Sequence, residues 1–293
     1  MSIFRTFLSV SYVPVMLGGF IYAAIDLVGR GQSYGYLFGL LFAAILVSFA
    51  AESVAPYERD WNKGHNDSFR DTIHALVNEA ANSLSVLLLP VFVAITPDFG
   101  WWPDDWPLWA QLLQAICIAD FGITLVHYAS HKSPLLWRFH AVHHSVKRMY
   151  GFNGLMKHPI HQAIETIGGT FPLILLGLPL DVAALLAFAI SIQLLLQHSN
   201  VDVKIGPLRY VLALSPLHRF HHIKWPVEGD VNFGLFTTIW DRMLGTAVYD
   251  ANRVFNSVDL GIGKEPNYPD AYAAQMVKPF LSEDTAHSVK QTF

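Results

Sequence analysis

Two stretches near the start of the chain, Phe7 to Ile25 and Ser33 to Ala51, run without a single charged side chain. Each is long enough to cross the ~30 Å apolar core of a bilayer as a helix. A segment that does so must be helical, because hydrocarbon offers no partner to a free backbone N–H or C=O. That requirement narrows the fold before any other feature is considered. Asp26 and the polar, Gly-rich break from Val28 to Gln32 separate the two runs, which read together as a membrane hairpin. Composition agrees: 14% of residues are charged, against about 25% in an ordinary soluble domain. The first run follows an early Arg, as in a signal peptide. A second apolar run comes at once, and no clear small-x-small site lies between them, so it reads as a retained anchor.

Further along, a polar loop from Glu52 to Asp71 gives way to an apolar run from Ile73 to Thr96, with His74, Asn78 and Glu79 near its start. The Trp-, Pro- and Asp-rich stretch TPDFGWWPDDWPLW marks a membrane interface, where indoles prefer to sit. Leu108 to Tyr128 forms another crossing. Thr166 to Leu196 is apolar but interrupted by Pro172, Pro179 and Asp181, which suggests half-crossings or a kinked hairpin. Lys132, Arg138, Lys147, Arg148 and Lys157 cluster on one side, which the positive-inside rule makes cytoplasmic. The expected fold is an all-α integral membrane protein of about four to six membrane-spanning or re-entrant helices with a cytoplasmic histidine-rich cap. It divides into N-terminal transmembrane helices and an interfacial loop (1–119), a histidine-bearing catalytic region (120–250) and a C-terminal tail (251–293). A net charge of -4 without a basic cluster argues against nucleic acid as a partner. The single cysteine, Cys117, excludes a disulfide framework or a multi-cysteine metal cluster.

Eight of the 14 histidines fall into three clusters: His127-x3-His131, His140-x2-His143-His144 and His218-x2-His221-His222. Residues three or four apart are neighbours on one helix face, so His127 and His131 can reach one metal together. In H-x2-H-H the first residue neighbours both others, which are rotated about 100° from each other. Such a triplet can divide its nitrogens between two metals. Unmetallated imidazoles packed this closely repel when protonated and are costly to bury. A structural zinc site needs only four ligands. Imidazole suits Zn, Cu, Fe and Ni, and a paired redox metal, with iron favoured for O2 activation, fits the number and the membrane setting. His65, His74 and His287 stand alone and read as ordinary surface or core residues. Asp120, Thr124, His127 and His131 form one helical stripe. An imidazole that binds metal usually donates its other N–H to a carboxylate or carbonyl. Asp120 and Asp241 are placed for that, with Asn200 or Asn232 as further partners; a helix cap is the plainer reading of Asp241.

The ordered segments DFGITLVHYASH (120–131), LLWRFHAVHHS (135–145), SPLHRFHHIKW (215–225), NFG (232–234) and WDRMLGT (240–246) resemble the fatty acid hydroxylase/sterol desaturase superfamily of membrane di-iron oxygenases. The resemblance implies metal ligation by the eight clustered histidines and by one more upstream of the last box, the place that His198 occupies. It makes His158, in KHPIHQ, a further ligand. Family members often carry an acidic residue where this chain has His161, with Glu165 one turn later, so each of these two reads as ligand, supporting partner or local packing. Thr124 and Tyr128 depart from the Tyr and Arg often seen near the first box and are not ligands on this reading.

The activity implied is hydroxylation or desaturation of a lipid C–H bond, in a sterol or fatty acyl chain, by two iron ions and O2, with zinc able to replace iron in purified protein. The membrane hairpins would admit an apolar substrate laterally. No flavin, nicotinamide or cysteine-cluster motif is present, so electrons must come from a cytochrome b5, or a ferredoxin with its reductase. The same boxes also fit an ether-lipid monooxygenase, a carotenoid hydroxylase or an aldehyde-processing enzyme. A reading of a different class is a histidine-rich metal transporter or zinc-binding membrane protein, which would need polar ligands along the spanning helices.

Overall fold

The apolar runs all become helices in the computed structural model, which describes residues 3–281. Helices α1 (Ile3–Gly29), α2 (Gly35–Val54), α3 (Ser68–Ile95) and α4 (Leu108–Lys132) are each long and apolar enough to cross a membrane. Then come α5 (Pro134–His144), α6 (Pro159–Leu176) and α7 (Leu180–His198), of which α7 is the fifth candidate span. Past it, among the described residues, lie only short helices, including α8 (Ser215–His221) and α9 (Ile239–Leu244). No β-strand occurs among the described residues, only two isolated bridges. His287 lies outside the described residues.

α1 packs along α2, α6 packs against α3 and α4, and α7 contacts α1, α2, α3 and α4. At one end, the Phe99 N–H donates to the Leu175 carbonyl at 2.9 Å and the Tyr34 hydroxyl donates to Asp181. At the other, the Lys204 N–H donates to the Ser9 carbonyl at 3.0 Å, and the Tyr57 N–H donates to the Asn200 carbonyl at 2.6 Å. All the clustered histidines sit at this second end, under a cap built from the loops and short helices of 199–281.

Helix α7 is apolar all round, as a central helix must be, and nearly every side chain from Val182 to His198 is buried. α3 shows the opposite, with only 11% of its apolar window buried; most of its surface is left for lipid. Pro172 does not interrupt its helix. It lies inside α6, and the chain turns only at Gly177, where φ is +93°, a left-handed cap that Gly reaches without steric cost. Backbone contact holds α6 against α4: a Cβ at Gly122 would stand 2.0 Å from the Gly168 carbonyl oxygen. The paired loops are tied by a bidentate ion pair between Arg148 and Asp67, with its shorter contact at 2.7 Å.

Candidate metal centre

Nine imidazoles converge where α4, α5, α7 and α8 meet. His127 and His131 come from the last turns of α4, His198 from the last residue of α7, and the other six from α5 and α8 with its capping residue. They fall into two groups, His127, His131, His140, His144 and His221, and His143, His198, His218 and His222, with the nitrogens of each lying within 4.8 Å of one another. Each H-x2-H-H triplet is split between the groups: His143 parts from His140 and His144, and His221 from His218 and His222. The 100° offset between adjacent helical positions does the splitting. All but His131 are buried.

The protons on these rings show what the groups can hold. His127, His143, His198 and His221 each donate Nδ1–H to a backbone carbonyl, of Phe233 (2.9 Å), Met156 (3.1 Å), Leu194 (3.1 Å) and Val231 (2.9 Å) respectively. His131 donates to Asp230 at 2.9 Å. With Nδ1 protonated, Nε2 of a neutral ring is a bare lone pair. Yet Nε2 of His143 and Nε2 of His198 lie 3.3 Å apart, and Nε2 of His221 is buried without any hydrogen-bond partner. Lone pairs facing one another repel; a cation between them removes the conflict. Across both groups the closest Nε2···Nε2 distances run from 3.0 to 3.3 Å. Metal–imidazole bonds of about 2.1 Å set adjacent nitrogens roughly 3.0–3.4 Å apart, so the donor set fits two metal ions.

Electrostatics favours the same state. Burial, reinforced by the neighbouring rings, pushes the pKa of His140, His143, His144, His218, His221 and His222 well below the ordinary 6.5. These rings are neutral at pH 7, the form in which imidazole binds metal.

The carboxylates sit elsewhere than spacing suggested. Asp120 touches no imidazole; its two oxygens accept from the N–H groups of Leu235, Phe236 and Thr237 and from the Thr237 hydroxyl at 2.7–3.1 Å. Asp241 likewise accepts from the N–H groups of Phe233 and Gly234 and from the Thr246 hydroxyl. Asn232, at a φ of +55°, donates to the Leu217 and Val248 carbonyls. These residues shape the 231–237 loop so that its carbonyls reach His127 and His221, and thus act on the imidazoles at one remove. Asn200 joins the Glu58 and Asn62 loop instead. The carboxylate that meets one of the nine imidazoles directly is Asp230, which also pairs with Lys132 at 2.9 Å. Sequence reasoning missed it, since no box contains it. Burial works against its charge, but hydrogen bonds from His131 and Lys132 outweigh that and hold its carboxyl below 3.8. Replacing Asp230 with Asn is expected to weaken metal binding in the five-imidazole group by about 10–100-fold, measured by competition with a chelator; unchanged retention would exclude this role.

The expected ligand His158 falls outside both groups, as do His161 and Glu165, whose roles the sequence left open. His158 caps α6: its Nδ1 accepts from the Ile160 N–H at 3.1 Å, and its Nε2 donates to the Met276 carbonyl at 3.3 Å. His161 bonds Ser130 at 2.9 Å, and its ring centre stands 4.5 Å from that of His140. Glu165 is ion-paired with Lys157. Tyr128 packs on Phe233, and Thr124 is buried beside the stripe without contributing an atom to either group. His74 bonds the Lys157 carbonyl and Gln275, the ordinary core role expected of it.

A cleft of about 1570 Å³ reaches His131, His144 and His221 of the five-imidazole group. It opens among residues of α4 and α5 and cap residues from 223 to 281. Trp137 forms part of the wall, with its ring 5.1 Å from His131 and 5.3 Å from His144.

The profile of the fatty acid hydroxylase family matches residues 112–246. The ornithine lipid hydroxylase of Rhizobium tropici is 35% identical over 247 residues, covering 81% of this chain and 72% of the relative. Alkylglycerol monooxygenases of Danio rerio (29% over 162 residues) and Homo sapiens (28% over 145 residues) cover 55% and 50% of the chain. The matched region is 35% and 31% of those longer proteins. No solved structure matches the chain. The family profile, the relative matched over most of its length and the two converging imidazole groups agree: the chain is an oxidoreductase that belongs to the fatty acid hydroxylase/sterol desaturase superfamily.

Proposed function

We propose that the chain holds two iron ions and uses O2 and external electrons to hydroxylate a C–H bond of a polar membrane lipid. His127, His131, His140, His144 and His221 hold one ion, and His143, His198, His218 and His222 the other. The observation that carries this reading is the split of both H-x2-H-H triplets between two groups of mutually facing nitrogens. Neither group contains a thiolate or carboxylate, a donor set that suits a borderline metal. Iron, when bound, supplies the redox chemistry with O2 that an unactivated C–H bond requires.

The chain's own contribution is orientation and exclusion. The carbonyls of Val231, Phe233, Met156 and Leu194, with the Asp230 carboxylate, fix which ring nitrogen faces inward. Burial keeps water from the buried rings. The cleft beside Trp137 admits the lipid, its lining mixing apolar side chains with Lys132, Lys224, Lys264 and Glu265, as an amphipathic substrate demands. An amino-acid-bearing lipid is supported by the relative from Rhizobium tropici. An ether lipid is the second reading, supported by the alkylglycerol monooxygenases. The basic residues of 132–157 favour a cytoplasmic cap, where a cytochrome b5 or a ferredoxin would deliver electrons. Residues 120–250 form the catalytic region and 1–119 the anchor, and residues between 261 and 281 complete the cleft wall.

The test combines metal analysis before and after iron loading with turnover under ¹⁸O2 on extracted membrane lipids. About two iron ions per chain and one ¹⁸O atom in the lipid product are expected. Equal turnover with zinc in both groups, or product lacking ¹⁸O, would overturn the proposal.

A further inference from the structure

The two imidazole groups share a second, far smaller cavity. It measures about 10 Å³, about the least that a single water needs. His127 and His140 line it from one group, and His143, His198 and His218 from the other. Three further polar side chains reach it: Gln197, Lys157 and Glu165. Gln197 is already committed, donating to the Gly234 carbonyl at 2.8 Å and the Ala213 carbonyl at 3.2 Å. That leaves Lys157 and Glu165, ion-paired to each other with side chains only 11% and 7% exposed.

An ammonium is the wrong group to bury here on structural grounds alone. It stands beside nine nitrogens arranged to gather cations, and like charges repel most where solvent is excluded. A buried ion pair is also a weak source of stability compared with apolar packing. Nor does the side chain anchor its loop, since the Lys157 backbone carbonyl does that by accepting from Asn78 at 3.1 Å and His74 at 3.2 Å. The ammonium has three N–H bonds, so the one directed at Glu165 leaves two to spare.

We propose that Lys157, held by Glu165 at the wall between the two imidazole groups, donates the hydrogen bond that positions O2 and stabilises the oxygen atom leaving as water. The proposal rests on the two-iron reading above. The overall step is RH + O2 + 2e⁻ + 2H⁺ → ROH + H2O. A C–H bond breaks and a C–O bond forms, one oxygen atom enters the product, and the other leaves with two protons. The two electrons come from a one-electron carrier protein. A donor aimed at the departing oxygen favours that route over release of hydrogen peroxide. Glu165 acts as a positioning residue, since its carboxylate holds the Lys157 ammonium.

The experiment compares iron-loaded wild type with Lys157→Met and Glu165→Gln for metal content, reductant oxidised, product formed and hydrogen peroxide released. Lys157→Met is expected to keep both metals and to oxidise reductant, while product per reductant falls about tenfold, as the loss of one charge-assisted hydrogen bond predicts. Peroxide accounts for the difference. Glu165→Gln shifts the ratio the same way by a smaller factor, and it decides the matter if Lys157→Met does not fold. Wild-type coupling in both variants, or metal loss from Lys157→Met in proportion to its lost product, overturns the proposal. Failure of the two-iron reading is seen separately, as wild-type protein that binds no metal pair or consumes no O2.

Discussion

Replacing His143 with Ala is expected to leave the chain with about one tightly held metal ion instead of two and to lower turnover by roughly 10³-fold or more. The reason is the unequal division of the nine nitrogens. His143 belongs to the four-membered group, and its loss leaves only His198, His218 and His222. Three imidazoles around one ion leave an open, water-accessible position. His221→Ala is the informative contrast. It removes one nitrogen of five, so His127, His131, His140 and His144 still form a complete set. That variant is expected to retain about two metals with reduced affinity and to lose turnover because one of the three cleft-facing ligands has gone. Metal content by mass spectrometry, measured beside turnover, separates the cases. Two metals and full turnover in His143→Ala would remove the four-imidazole group from the mechanism.

Much of this centre can be read from the sequence, for an identifiable physical reason. Helical geometry converts spacing into direction, so H-x2-H-H already implies that its members diverge, and the split of both triplets is the structural consequence. His198 follows no local spacing; its place was implied by family resemblance, and α7 delivers it to His143 and His222. The uncharged runs became helices because a bilayer permits little else.

What spacing could not show is how each ring is oriented. Four of the five Nδ1 partners are backbone carbonyls, which any residue possesses and no letter of the sequence reveals. Asp230 comes from an irregular loop almost a hundred residues from His131, in a register that no periodicity predicts. His158 carried a ligand's expectation, yet it precedes Pro159 at the start of a helix, where a side-chain acceptor for a free N–H is the stronger local demand. The path of the lipid is hidden for a similar reason. Apolar helices suggest a lateral route, but whether two helices part or seal depends on contacts such as Gly122 with Gly168, visible only once the helices are paired.

Asp120 shows how far such indirect support can matter, and its replacement by Ala is the second large effect expected. In the apolar interior beside the 235–237 loop, its carboxylate is the shared acceptor for three backbone N–H groups and one hydroxyl. Ala would leave four donors without a partner. Each orphaned buried donor costs about 1–3 kcal/mol, and partial relaxation of the loop brings the total to roughly 4 kcal/mol. The loss should appear as a fall of about 10 °C in the melting midpoint of the detergent-solubilised protein. The same loop carries the Phe233 carbonyl that holds His127, so the five-imidazole group should release metal first, while His143, His198, His218 and His222 keep theirs. Asp120→Asn discriminates this anchoring role from a simple need for negative charge. Its amide keeps one acceptor oxygen but turns an NH2 group toward donors on the other side, so it should recover only part of the lost midpoint. An Asp120→Ala protein that melts within about 2 °C of wild type and holds both metals would show that the loop is fixed by Asp241 and Asn232 without it.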